Sequence, residues 1–83
     1  MLVLSVYDAK AEAYLQPFYM KTKGEAIRAF MSVVNDGQSS FSKYPEDYTL
    51  FILGEWDEDK GVISQKNVKE PLGTALEFKK ELK

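Results

Sequence analysis

The 83-residue chain is predicted to fold as an α+β domain: a small, mainly antiparallel four-stranded sheet in ββαββ order, with one main helix packed on one face. Three observations predict this. Apolar runs rich in β-branched and aromatic residues recur as LVLSVYD, YLQPFYMK and YTLFILGEW, with a shorter run VISQ after the last. One segment, TKGEAIRAFMSVVNDG, carries a helical apolar stripe instead. Clusters of Gly, Pro, Ser and Asp punctuate the chain between these runs.

Residues 2–8 are expected as the first strand, closed by Asp8. Residues 9–13 read as a connection or a short helical turn. Residues 14–21 are expected as the second strand, with Tyr14, Gln16, Phe18 and Met20 on one face and Leu15, Pro17 and Tyr19 on the other. Pro17 donates no ladder hydrogen bond, so this strand lies at a sheet edge or breaks there.

The helix is expected over 23–35. Thr22 followed by Glu25 three residues later is a capping-box pattern. Ala26, Ile27, Phe30, Val33 and Val34 form its apolar stripe, and Asn35-Asp36-Gly37 ends it, with Gly37 able to take a left-handed C-terminal conformation. Residues 36–47 read as a loop in which Phe41 and Tyr44 are either anchors packed on the core, the favoured reading, or exposed contacts.

Residues 48–56 are expected as the central strand. Tyr48, Leu50, Ile52 and Trp56 alternate with Thr49, Phe51 and Leu53, so both faces are apolar and both need cover. One helix covers one face; a second copy of the chain or the C-terminal segment is left to cover the other. Asp57–Gly61 reads as a hairpin turn ending in a bulge glycine, followed by the VISQ strand. The domain is expected to span 1–66, leaving 67–83 as a C-terminal tail. That tail has two readings: a short helix over Thr74–Leu82 packed on the sheet, or a mixed-charge arm.

A chain of this length has a small core, and with no cysteine no disulfide or thiolate metal site supports it. Together with the two apolar faces of the central strand, this predicts a homodimer. No apolar run approaches the roughly 18–20 residues of a membrane helix, so no membrane partner is expected. The start MLVLSVYD lacks a signal-peptide pattern, which suggests a cytoplasmic protein.

No histidine is present, which removes the usual general base and the commonest nitrogen ligand of zinc. No G-x-S-x-G occurs, and the five glycines are scattered rather than gathered in a phosphate loop. An enzyme is therefore not expected, and no cofactor. Glu55, Asp57 and Asp59 do not match a calcium loop, because Gly61 falls where the third ligand belongs; no metal is expected.

Binding remains. The chain has five tyrosines, five phenylalanines and one tryptophan, many for so small a core. Tyr7, Tyr14, Phe18, Tyr19 and Trp56 fall on predicted strands, with Lys10, Lys21, Lys23 and Arg28 close to several of them. Sheets hold single-stranded nucleic acid with aromatic platforms beside a basic groove. On this reading Lys10, Lys21, Lys23 and Arg28 contact phosphates and Tyr14 or Tyr19 stacks on bases. Against it, strand aromatics more commonly belong to a core, and the net charge is −2.

The segments VYDAKAEAYLQPF (6–18), EAIRAF (25–30), VND (34–36) and YPEDYTLFILGEWDEDKGVI (44–63) resemble the small nonstructural protein of gokushoviruses, single-stranded-DNA viruses of bacteria. The resemblance covers most of 3–65 and none of the chain from Asn67 onward. It implies a bacteriophage accessory protein, made in the cytoplasm of the bacterial host and absent from the mature virion. It further implies a role in genome replication or in the switch to packaging single-stranded DNA, with DNA binding attached to some members. It carries no catalytic or ligand motif across. Ile52 and Trp56 depart from the polar and smaller aromatic residues expected there. The alternative reading is a protein-interaction adaptor that binds the phage replication initiator, a capsid protein or a host replication protein without touching nucleic acid.

Overall fold

The computed structural model describes residues 1–79. The elements in chain order are β1 (Leu2–Asp8), β2 (Ala13–Tyr14), β3 (Phe18–Met20), α1 (Lys23–Val34), α2 (Ser40–Lys43), β4 (Tyr48–Asp57), β5 (Val62–Thr74) and α3 (Ala75–Lys79). A 3₁₀ turn over Pro45–Asp47 leads into β4. The α+β class holds, but the sheet has five strands and not four, because the predicted second strand is two. All recorded pairings are antiparallel. The order is β2-β1-β4-β5, with β3 also paired to β1, so β2 and β3 share one edge.

The split of the second strand has a register consequence. Tyr14 lies opposite Tyr7 and Phe18 opposite Leu4, so residues 15–17 face only residues 5 and 6. One extra residue is accommodated at Pro17, which cannot donate to the ladder. The kink is stitched to β1 by Leu15 N–H donating to the Val6 carbonyl at 2.8 Å and by Ser5 Oγ donating to the Leu15 carbonyl at 2.6 Å. An extra residue inverts the side-chain alternation. Tyr14 and Tyr19, expected on opposite faces, therefore project from the same one.

Helix α1 covers the other face. Thr22 Oγ1 accepts from the Glu25 N–H at 3.1 Å, as the capping pattern predicted. Ala26, Phe30 and Val34 are buried against Leu4 and Val6 of β1 and Leu50 and Ile52 of β4. Val33, placed in the stripe from sequence, is 42% exposed. The helix ends at Val34 with Asn35 as its cap, whose Nδ2 donates to the Met31 carbonyl at 2.8 Å. Gly37 is not in the left-handed region, so this side-chain cap replaces the expected glycine device.

The expected loop 36–47 contains α2 and the 3₁₀ turn. Phe41 is the anchor, with its ring 5.5 Å from Phe30 and 4.6 Å from Tyr48. Tyr44, expected to share that role, is 56% exposed.

The fourth predicted strand, VISQ, is only the first third of β5, which runs through residue 66 to Thr74 as the sheet edge. Pro71 is tolerated there because an edge strand needs only one side of its backbone. Four residues, 66–69, are extruded between Gln65, opposite Gly54, and Glu70, opposite Ile52. Gly54 permits the close approach at this irregularity: a Cβ there would collide with the Ser64 carbonyl. A full capping box then starts α3, with Thr74 N–H donating to Glu77 Oε1 at 2.8 Å and Glu77 N–H to Thr74 Oγ1 at 3.2 Å. Ala75 is fully buried, and Phe78 meets Phe30 edge-on at 5.8 Å. The helix expected over Thr74–Leu82 thus begins where predicted; its last residues, 80–82, lie outside the described residues.

Candidate aromatic face

The sheet face opposite α1 carries no helix among the described residues. Along β1, Val3, Ser5 and Tyr7 point to it, because Leu2, Leu4 and Val6 point to the core. The register adds Tyr14 opposite Tyr7, Tyr19 opposite Val3, Phe51 opposite Ser5 and Thr49 opposite Tyr7. Gly54 lies opposite Val3, which brings Trp56, two residues on, to the same face.

Two aromatic groups result. At one end Tyr14 joins Tyr7 at 4.8 Å and Phe51 at 5.8 Å between ring centroids. Lys69, from the extruded part of β5, sets its ammonium 5.8 Å from the Tyr14 ring centre, within cation–π range. At the other end Tyr19 and Trp56 line an open cleft of about 410 Å³ with Met1. The ends are joined by β1, where Val3 and Tyr7 are four residues apart, about 13 Å along a strand. Tyr14 and Tyr19 are 41% and 45% exposed, so their rings are available for contact.

The predicted phosphate-contacting residues divide. Lys10 lies in the β1–β2 turn near Tyr14, and Lys21 lies just beyond β3 near Tyr19, both exposed. Lys23 and Arg28 belong to α1, on the opposite side of the sheet. Lys23 Nζ is engaged by Glu70 Oε2 at 2.8 Å, and Lys66 adds a 3.5 Å contact to the same carboxylate. The Lys23 hydrogen bond holds Glu70 below the usual carboxylate range despite some desolvation. Burial, with the Asp8 carboxylate nearby, pushes the Tyr48 phenol up against an opposing hydrogen bond from Ser40.

Tyr7, Phe51 and Lys69 were not among the predicted site residues. Tyr7 and Phe51 each alternate correctly on their strands, so pairing β1 with β4 would have found them. Lys69 sat in the segment read as tail, where Pro71 masked the strand. An apolar cavity of about 350 Å³ on the helix side, bounded by Leu15, Phe18, Val33 and Phe41, has no titratable side chain in its lining. Among the described residues, no three Asp or Glu side chains gather as metal ligands. No described helix is long and apolar enough to cross a membrane.

The class of protein is therefore a small antiparallel sheet with one face closed by helices and the other presenting aromatic rings. The chain belongs to the family described as Phage ORF5 protein, which matches residues 1–78. It is 42% identical over 65 residues to Protein ORF5 of Chlamydia phage 1, a match covering 74% of this chain and 68% of that protein. No solved structure matches it.

Proposed function

We propose that this phage protein is a nonstructural accessory factor that holds single-stranded DNA on the helix-free face of its sheet during genome replication or the switch to packaging. The observation that carries this reading is the Tyr7–Tyr14–Phe51 cluster with Lys69 against Tyr14. Exposed rings give sequence-tolerant stacking worth about 1–3 kcal/mol per base. Lys69 and Lys10 at the Tyr14 end, with Lys21 at the Tyr19 end, supply phosphate contacts; Lys23 and Arg28 are on the wrong side of the sheet for the same strand of DNA.

The test is fluorescence anisotropy of a labelled oligothymidylate at about 50 and 200 mM salt. Binding in the micromolar range that weakens steeply with salt supports the reading. No binding at the lower salt overturns it.

Homodimerisation is part of the proposal. Phe51 on the open face is only half-buried, and a second copy would cover it. Sedimentation as a monomer at tens of micromolar removes that part. The adaptor alternative is favoured by one observation, the acidic surroundings of Trp56.

A further inference from the structure

The Tyr19–Trp56 cleft lies on the same face as the Tyr14 cluster. Its floor is low: Val3 is 6% exposed, and Gly54, opposite Val3, has no side chain. Tyr19 stands on one side from β3 and Trp56 on the other from β4, with β1 between them. Those strands are two strand spacings apart, about 9–10 Å. Ring atoms touch at about 3.5–4.0 Å, so a flat ring needs about 7–8 Å to lie between two others. The cleft therefore admits one planar ring, with side-chain rotation taking up the remainder.

Trp56 is fixed in place for such a contact. Its N–H donates to the Met1 carbonyl at 2.7 Å, and its carbonyl accepts from the Met1 amino group at 3.0 Å. A platform set before its ligand arrives loses less to ordering. The two sides of the cleft differ in charge. Lys21 lies on the β3 side, just past Tyr19. Beyond Trp56 comes the β4–β5 turn with Glu58. Glu55 and Asp57 flank Trp56 in sequence, but alternation turns them to the helix side, where Glu55 shares a cleft with Lys23 and Lys66. A nucleotide is thus favoured in one orientation, phosphate toward Lys21 and base toward Trp56.

The distance to the first cluster limits what fills both. Tyr14 is level with Tyr7 and Tyr19 with Val3, about 13 Å apart along β1. A stacked strand advances about 3.4 Å per nucleotide, so neighbouring bases cannot occupy both places.

We propose that the Tyr19–Trp56 cleft is a second base seat, and that the face takes two non-adjacent bases of one strand, one on Tyr14 and one between Tyr19 and Trp56. This rests on the DNA reading of the face and specifies its footprint.

The probes are six-nucleotide strands carrying two thymines on otherwise abasic backbones, the thymines adjacent or separated by one, two or three abasic sites. Phosphate charge is constant across the set, so differences report the seats. Trp56 is the sole tryptophan, and its emission reads the cleft. Titrated into the full chain at about 50 mM salt, one separated pair is expected to bind roughly five- to a hundredfold more tightly than the adjacent pair, the equivalent of one added stack, and to change Trp56 emission saturably. Tyr19→Ala is expected to remove that preference, and Tyr19→Leu, which keeps apolar bulk without the ring, to do the same. Tyr19 is 45% exposed, and an unchanged melting curve confirms that either variant is folded. Binding that ignores the spacing, a silent Trp56, or a preference that survives both substitutions overturns the second seat. If hexathymidylate still binds and weakens steeply with salt, the DNA reading of the face stands without that seat. If hexathymidylate does not bind at all, both fall.

Discussion

Asp8 and Asp57 close the two hairpin turns of the sheet with the same pair of hydrogen bonds. Asp8 Oδ1 accepts from Lys10 N–H at 3.0 Å and Ala11 N–H at 3.2 Å; Asp57 Oδ1 accepts from Asp59 N–H and Lys60 N–H. Each turn then passes through a left-handed residue four positions after its aspartate, Glu12 at φ 57° and Gly61 at φ 66°. The turns differ in that residue, and a glutamate at positive φ bears a steric cost that glycine does not.

Glu12→Gly is therefore expected to stabilise the protein, by about 0.5–1 kcal/mol, since relief of strain exceeds the added freedom of the unfolded chain. Gly61→Ala should do the reverse by a similar amount. Urea denaturation of both variants checks the pair. A destabilised Glu12→Gly would mean that the strain at Glu12 is compensated elsewhere.

The first turn illustrates what was legible in the sequence. Asp57–Gly61 was readable as a bulged turn because its glycine announces positive φ. The equivalent Asp8–Glu12 turn was not, because glutamate carries no such signal. Similarly α1 was placed closely by its cap and stripe, while β5 was cut short at the charged, proline-bearing stretch from Lys66 to Pro71. The site followed the same logic. Tyr14 and Tyr19 were candidates from type alone, but strict alternation put them on opposite faces. Only the one-residue bulge at Pro17 unites them, and a bulge is set by pairing with β1, not by local composition.

Phe30 joins the helical layer into one cluster, packing on Phe41 and Phe78 from separate elements while 4% exposed. Phe30→Ala is expected to cost about 3–5 kcal/mol. That is a large share of the stability of a domain this size, so near-ultraviolet circular dichroism should show a mostly unfolded population at 37 °C. A variant that melts within a few degrees of the parent would place the core's weight elsewhere.

The Lys23–Glu70 contact predicts an acid-range dependence. The folded carboxylate is held below its unfolded value, so its contribution is present at neutral pH and is lost as pH falls through the folded-state value. Glu70 is solvent-accessible, and the effect is small. Glu70→Gln should melt slightly below the parent at about pH 7 in low salt, and the difference should shrink as the pH falls through the acid range. A constant difference across that range would show that the ion pair is not its origin.

The division of the predicted binding residues between two faces separates the DNA reading from nonspecific charge attraction. If DNA lies on the helix-free face, Tyr14→Ala should weaken oligothymidylate binding by roughly five- to a hundredfold, the equivalent of one lost stack. Lys69→Ala should lower affinity and reduce the salt slope by about 0.7, one phosphate contact on a single strand. Arg28→Ala, on α1, removes the same charge from the other side and should leave both quantities unchanged. If Arg28→Ala and Lys69→Ala weaken binding equally while Tyr14→Ala does nothing, the attraction is general electrostatics, and the aromatic face requires another occupant.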